Sequence, residues 1–560
     1  MEDLYTELWG RKVELVHDFG VRVPQPKENL APGYAVSLSE ALGTGLPVLR
    51  FEQNFLHCNF QVLRVETLLP CGWNMILVRP EFRNLEHLCS QVWWEKWSAC
   101  PGSTKWGAKL DIAIVAQPGT GKSYFLSYLL ARRLAMGEPT VYREDDQKCY
   151  LFDEYTAGKE VNAEYLFRLP ASEKERLWIL TDDSITNRGW ERQGNTWFIV
   201  FIARPAQMVL SESWRSNRNA RIRYMTNWTW EEVFAAFHMG HGKPPSASEA
   251  ERLYSIFAGF GPIARTCLQA ISVSSEAHFL PDTKAYLRAI QDDINKFIQD
   301  GGCDEMDDLK LQAASAKLTI MQPLDEGYSG RLEIATKWIG FCIFERAREA
   351  SQLNFYRLYQ NLSRQRPLRT AAGWIFEGYC HDWFRKGGKF IAREIVGKEG
   401  TIVDFQFELL ETECLSDHYF TDAQDLDRRV RASSGRGIQS AVLGKYFLPC
   451  GRNFESIDGL TFFRSDTLLL FQITIATTHE IKAHGIRVLL QSLPRTIKII
   501  VLVFVIPSDR AKDYLKVQKV PSASELMEGG GGLEIRQFSL IFYDSAMRAM
   551  MGQMGKEAVR

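Results

Sequence analysis

From Asp111 to Ser123 the chain reads Asp-Ile-Ala-Ile-Val-Ala-Gln-Pro-Gly-Thr-Gly-Lys-Ser, and the end of this run carries the groups needed to hold a polyphosphate. Gly119, Thr120 and Gly121 let the backbone turn so that successive N–H groups face an anion, and Gln117 and Pro118 lead into that turn. Lys122 brings a cation to the outer phosphates, and Ser123 offers a hydroxyl oxygen to Mg²⁺. The ligand these types and spacings imply is a nucleoside triphosphate, ATP, carried with Mg²⁺. Ala116 stands where a first glycine is usual, and alanine is small enough for the place. Two elements must present this loop. Ile112 to Val115 reads as a short buried strand, and Tyr124 to Ala135 has helical periodicity, so its N-terminus aims at the phosphates.

A second strand is expected at Leu177-Trp-Ile-Leu-Thr, ending in Asp182 and Asp183. An apolar strand that ends in acids suits a Walker B element, in which Asp182 supports Mg²⁺ and Asp183 activates the attacking water. Tyr150-Leu-Phe-Asp-Glu154 also ends in acids, but it follows the loop closely and reads as part of a β-hairpin. A third buried strand, Thr196 to Ala203, ends at Arg204, where a polar group can sense the terminal phosphate. Arg215, Arg218, Arg221 and Arg223 form a basic cluster that reads either as a phosphate-contacting patch or as a solvated charged face. Thr229 reads as a helix N-cap. Gly261-Pro262 opens another helix, and Arg265, one turn in, is placed to reach back to the γ-phosphate. Residues 270–370 read as mostly helical. His238 and His241 have metal-like spacing, yet Gly240 and Gly242 suggest a loop there.

The C-terminal third offers a second set of oxygen ligands. Ala371 to Gly388 reads as a helix carrying Glu377 and ending at Gly387-Gly388. Asp458 precedes one strand and Gln472 lies on the next, at hairpin separation, so both can reach one Mg²⁺. A helix acid, a strand-start acid and a polar pair on the following strand match the nuclease core written PD-(D/E)xK. Gln472 is neutral where an acid is usual, and Thr474 occupies the lysine's place; Lys482 or His479 could substitute from the next segment.

Composition narrows the classes. A chain of 560 residues is too long for one core, and 45% hydrophobic with 24% charged residues fits a folded protein. The net charge of −1 means that any nucleic-acid surface must be local. Eleven unpatterned cysteines point to a reducing compartment rather than a disulfide framework or zinc module. The acidic N-terminus does not read as a secretory signal, and the strongest apolar run, Ile499 to Ile506, is too short to span a bilayer. Trp93, Trp94 and Trp97 could stack bases or form a core seam. Proline at 24, 26 and 32 suggests irregular structure.

Taken in order, these segments resemble the Crinkler effectors of oomycetes and fungi and the related retrotransposon hot spot proteins of trypanosomes. The matching words are Ile76-Leu-Val-Arg-Pro-Glu-Phe82, the loop at 119–123 with Tyr128-Leu-Leu130, Leu180-Thr-Asp-Asp183, and Trp228-Thr-Trp-Glu-Glu232. Gly261-Pro-Ile-Ala-Arg265, Gly373-Trp-Ile-Phe-Glu377, and Asp458 with Phe471-Gln-Ile-Thr474 complete them, so the likeness runs over residues 75–510. The resemblance implies a multidomain α/β chain: a STAND/AAA-like P-loop NTPase with a helical lid, joined to a restriction-endonuclease-like α/β domain. It implies action inside a cell, in cytoplasm or nucleus, with DNA as the nucleic-acid partner and no membrane; a homo-oligomer would form through the NTPase domain. A secretion header of the Crinkler type is not read in residues 1–50. The expected division is a mixed region at 1–100, the NTPase core at 101–240, lid and linker at 241–370, and the nuclease-like domain at 371–560. The expected activity is ATP hydrolysis coupled to Mg²⁺-dependent DNA cleavage. The alternative is a nucleotide-switched binding protein whose nuclease-like domain is inert.

Overall fold

The computed structural model describes residues 1–11, 15–27, 50–98, 110–182, 185, 188–191, 196–204, 207, 211–299, 317–336, 338–340, 342–343, 346, 363, 369–395, 403–411, 419–420, 422–432, 437–449, 457–476, 481–511, 517–526 and 533–542. Its contacts divide the chain into two units. One comprises Met1–Gln25, Phe51–Tyr286 and Glu305–Ala335; the other comprises Pro26–Arg50, Leu287–Asp304 and Thr336–Arg560.

After a short helix at Glu2–Leu8, the first unit has strands β1 (Val16–Lys27), β2 (Arg50–Arg64) and β3 (Met75–Val78), ordered β1-β2-β3. Pro24 and Pro26 lie within β1 rather than in irregular chain. β1 is an edge strand, where a missing N–H costs no ladder bond. Helix α1 (Pro80–Ser98) follows, and then the main sheet: β4 (Ile112–Val115), β5 (Thr140–Arg143), β6 (Cys149–Phe152), β7 (Lys159–Val161), β8 (Trp178–Thr181), β9 (Phe198–Ala203) and β10 (Arg221–Tyr224). Among the described residues its order is β10-β4-β9-β8-β5-β6-β7. The five strands from β10 to β5 run parallel, whereas β6 and β7 add on antiparallel, as the hairpin reading of Tyr150–Glu154 required. β4, β8 and β9 are buried along their whole length, which explains their unbroken apolar sequences.

Helix α2 (Lys122–Ala135) follows β4 directly. Beyond β10 come α3 (Trp230–His241), α4 (Ala247–Phe260) and α5 (Glu276–Gln299). Thr229 with Glu232, and Ser246 with Glu249, close complete capping boxes on α3 and α4. α3 continues through His241, correcting the loop expected there, because Gly242 supplies a left-handed C-terminal cap. The helical reading of 270–370 also fails in part. β11 (Thr319–Leu324) and β12 (Ser329–Ile334) pair antiparallel across a turn in which Asp325, Glu326 and Gly327 have positive φ.

β4 is anchored at its start by a buried charge cluster. Asp111 is fully buried and accepts from Arg218 Nε at 2.7 Å, from Arg218 Nη2 at 3.3 Å and from the Ile199 backbone N–H at 3.1 Å. Lys96, also buried, lies 3.6 Å from the same carboxylate and donates to the Trp197 carbonyl at 2.6 Å. Burial pushes the Lys96 ammonium down to about 8. One carboxylate therefore ties α1, β4, β9 and the chain before β10 together at the end of the sheet from which β4 departs toward the loop.

The second unit holds α6 (Arg369–Arg385) and one sheet built from β13 (Gly388–Glu394), β14 (Asp404–Leu409), β15 (Tyr419–Phe420), β16 (Tyr446–Pro449), β17 (Gly459–Arg464), β18 (Thr467–Ile473), β19 (Ile499–Pro507) and β20 (Glu534–Phe542). Among the described residues the order is β14-β13-β20-β19-β18-β17-β16-β15. β16, β17 and β18 form an antiparallel meander; β18, β19 and β20 are parallel, with α7 (Ala483–Ser492) in the crossover from β18 to β19. α6 packs on this sheet through Phe384, whose ring stands 4.9 Å from Phe471 and 5.2 Å from Tyr446. No helix among the described residues is long and apolar enough to cross a membrane.

Replacing Asp111 by Asn should lower unfolding stability by roughly 3–5 kcal/mol, because two buried cations would then face a neutral amide. Denaturant unfolding of the full chain measures this, and an unchanged midpoint would contradict the anchoring role.

Candidate functional site

The parallel strands deliver their following residues to one edge of the sheet: the 116–121 loop after β4, Asp182 after β8, Arg204 after β9 and the approach to Trp228 after β10. In an open α/β sheet this carboxyl edge is where ligands bind. Gly119 and Gly121 have φ of +88° and +98°, which L side chains rarely adopt, and the second starts α2. A Cβ on Gly119 would also lie 2.8 Å from Ile263 Cγ2 and 2.9 Å from Arg265 Cβ. The Gly261–Arg265 segment is thus seated on the loop, and the Arg265 backbone N–H donates to the Gly119 carbonyl at 3.2 Å.

The side chains named from sequence meet here. Ser123 Oγ donates to Asp182 Oδ2 at 3.2 Å, joining the hydroxyl and the carboxylate that Mg²⁺ would need. Lys122 Nζ donates to the carbonyls of Ala116 and Gln117 at 3.0 and 2.7 Å. Burial, followed by repulsion from Arg204 and Arg265, pushes the Lys122 ammonium down to about 7, against the attraction of Asp182. Lys122 therefore feels two other cations and one carboxylate. Gln207 joins two strand ends by donating to the Asp182 carbonyl at 3.0 Å and accepting from the Arg204 N–H at 2.7 Å. Arg143 Nη1 donates to Thr181 Oγ1 at 3.0 Å, fixing the end of β8 next to Asp182.

Other expectations change. The Gln117 side chain turns from the loop and bonds β11, donating to the Thr319 carbonyl and accepting from the Met321 N–H at 3.0 Å. What Gln117 offers the loop is its carbonyl, which Thr120 Oγ1 also reaches at 2.8 Å. Pro118 lies in the turn itself. The 215–223 arginines do not form a phosphate patch: Arg215 pairs with Glu212, Arg218 with Asp111, Arg221 with Glu95, and Arg223 lies over Tyr328. Trp93 packs near Trp178, Trp94 is exposed, and the side chain of Trp97 lies outside the described residues. His241 bonds the Phe237 carbonyl and Ser274, and His238 packs on Phe19, so the pair does not converge on a metal. Asp183 and His479 lie outside the described residues.

In the second unit the register sets Gly459 opposite Phe471, which brings Asp458 beside Gln472. Asp458 Oδ2 accepts from Gln472 Nε2 and from the Ile473 N–H, both at 2.6 Å. Gln472 is buried, and its Oε1 has no hydrogen-bond partner among the described residues. A reversed amide would present that oxygen beside the Asp458 carboxylate, an arrangement a hard cation between them would stabilise. Buried Tyr446 donates or accepts at His381 Nδ1 at 2.9 Å, and His381 Nε2 lies 3.8 Å from Glu377 Oε1. Burial, then the charges of Asp458, Cys380 and Glu377, raise the Tyr446 phenol well above its ordinary range. Thr474 spends its hydroxyl on the Ala476 N–H at 3.0 Å, and Lys482 is exposed just before α7. Among the described residues no three His, Cys, Asp or Glu side chains form a metal cluster. Sequence reasoning did not single out His381, Tyr446, Gln207 or the β11–β12 hairpin.

No model of a protein family matches the chain, and no curated protein matches it in sequence. Among solved structures, it is similar to AMPPCP-bound DnaA from Aquifex aeolicus, with 13% identity, 56% of this chain and 91% of that chain covered, and a TM-score of 0.26. It is also similar to a point mutant of RuvB from Thermotoga maritima, with 10% identity, 45% and 95% covered, and a TM-score of 0.26.

The charge balance at Lys122 gives a pH signature. A bound triphosphate stabilises the ammonium and raises its pKa from about 7, so binding takes up as much as about one proton above that pH. ATP affinity should therefore fall as pH rises from 7 to 9. Calorimetry in buffers of different ionisation enthalpy reads the uptake; pH-independent affinity without uptake would contradict it.

Proposed function

We propose that the first unit binds ATP with Mg²⁺ and hydrolyses it. The observation that carries this reading is the Ser123–Asp182 pair at 3.2 Å, set at the strand edge where Lys122, Arg204 and Arg265 converge. Three cations against one carboxylate suit an Mg²⁺-bound triphosphate, which brings the missing negative charge. The backbone of Gly119–Gly121 turns its N–H groups to the phosphates, and Lys122 leaves its loop carbonyls for the outer phosphate oxygens. Bound between Ser123 and Asp182, Mg²⁺ would neutralise charge on the outer phosphates. Arg265 reports the terminal phosphate to the helices that follow it, and Asp183 is our candidate for orienting the attacking water. Lys122→Ala should lower the ATPase rate by about a hundredfold or more; equal rates in variant and wild type would refute the assignment.

A specific feature favours a second activity. The unpartnered Gln472 Oε1, which reversal of the amide would bring beside Asp458, supports a Mg²⁺ site for phosphodiester cleavage, with Glu377 on the neighbouring helix and Lys482 assisting. DNA is the substrate we assign from the resemblance to Crinkler and retrotransposon hot spot proteins, with intracellular action. ATP turnover would gate cleavage through a two-state change. Mg²⁺-dependent nicking of plasmid by wild type should vanish in Asp458→Ala and fall in Lys122→Ala. DNA binding without cleavage would instead favour the nucleotide-switched binding protein.

A further inference from the structure

Behind the phosphate loop, two words of the sequence meet that lie far apart in the chain. Arg79 is fully buried; it donates to Glu232 Oε2 at 3.1 Å and to the carbonyls of Thr226 and Asn227 at 3.2 and 2.9 Å. Its guanidinium lies 4.7 Å from the centre of the Trp228 ring. Glu232 is held in turn by the capping box, accepting from the Thr229 N–H at 3.0 Å. Both Arg79 and Trp228 then act on one atom of the loop. The Thr120 carbonyl accepts from Trp228 Nε1 at 2.8 Å and from Arg79 Nη1 at 3.5 Å.

The consequence follows from the planarity of the peptide unit. In a trans peptide, the C=O of one residue and the N–H of the next point in opposite directions. Holding the Thr120 carbonyl against Trp228 therefore directs the Gly121 N–H away from Trp228, toward the concave side of the loop. Trp228 also floors the same glycine: a Cβ on Gly121 would lie 3.5 Å from the Trp228 ring and 3.6 Å from that of Phe82. The carbonyl side of this peptide and the Cα that follows it are thus set by groups outside the loop.

We infer that Trp228 and Arg79 are positioning residues for nucleotide binding, which hold the Thr120 carbonyl at the rear so that the Gly121 N–H is preset for a phosphate oxygen. This rests on the ATP reading above. It gives the Arg-Pro-Glu-Phe and Trp-Thr-Trp-Glu-Glu words a shared task at the loop, although neither contains a residue that would touch the nucleotide.

Trp228→Phe tests it in the full-length protein, because an aromatic ring is kept for Arg79 while the Nε1 donor, with the indole edge beside Gly121, is lost. The dissociation constant for Mg-ATP, read with a fluorescent analogue, should rise about five- to tenfold, as for loss of one hydrogen bond that aligns the site. The melting temperature and the rate at saturating ATP should stay near wild type. Arg79→Lys keeps a cation beside Glu232 and should weaken binding in the same direction, which preserves the test if Trp228→Phe does not fold. Wild-type affinity in both variants would overturn the inference and leave the ATP reading intact. A wild type that binds no ATP would overturn both.

Discussion

An excess of positive charge around Lys122 is the constraint on which the first unit turns. Arg204 and Arg265 arrive from two other segments and both repel the Lys122 ammonium, with Asp182 as the compensating acid. Such a cluster is costly to assemble, since like charges in a partly buried setting repel. It becomes favourable when a polyanion enters. The arrangement is therefore better understood as complementary to a ligand than as a contribution to folding stability.

The surrounding structure keeps these charges from relaxing apart. β4 is anchored at its start by Asp111 between Lys96 and Arg218, and at its end it passes directly into the loop. Thr181 is held by Arg143, and Gln207 joins the ends of β8 and β9. Gly119 lacks a side chain where Ile263 and Arg265 press in, so the segment carrying Arg265 can sit on the loop itself. Gln117 extends the same support to β11, which makes the hairpin at 319–334 part of the loop's environment. The second unit uses similar logic on a smaller scale, where a strand register alone brings Asp458 to Gln472.

What could be read in the sequence was what is local. The loop, the strand before it and the helix after it are contiguous, and β4, β8 and β9 declare themselves because strands buried on both faces are apolar throughout. Asp182 and Arg204 could be named because each lies at the end of such an element, and Arg265 because it follows the helix start marked by Gly261-Pro262. What escaped notice depends on partners distant in the chain. Arg79 and Glu232 are separated by 153 residues, and charge density alone could not tell the buried Arg218 from the more exposed Arg221 nearby. The hairpin at 319–334 carries few β-branched residues and turns through non-glycine residues at positive φ, so neither of its strands stood out.

The central claim is that the charge cluster is a site for a triphosphate with Mg²⁺. The most direct measurement is a titration of the full-length protein with a fluorescent ATP analogue, with and without Mg²⁺. The account predicts saturable binding that Mg²⁺ strengthens, with the Mg²⁺ effect lost in Asp182→Asn because the carboxylate beside Ser123 is gone. Absence of saturable binding by the wild type, or binding that Mg²⁺ does not change, would contradict it.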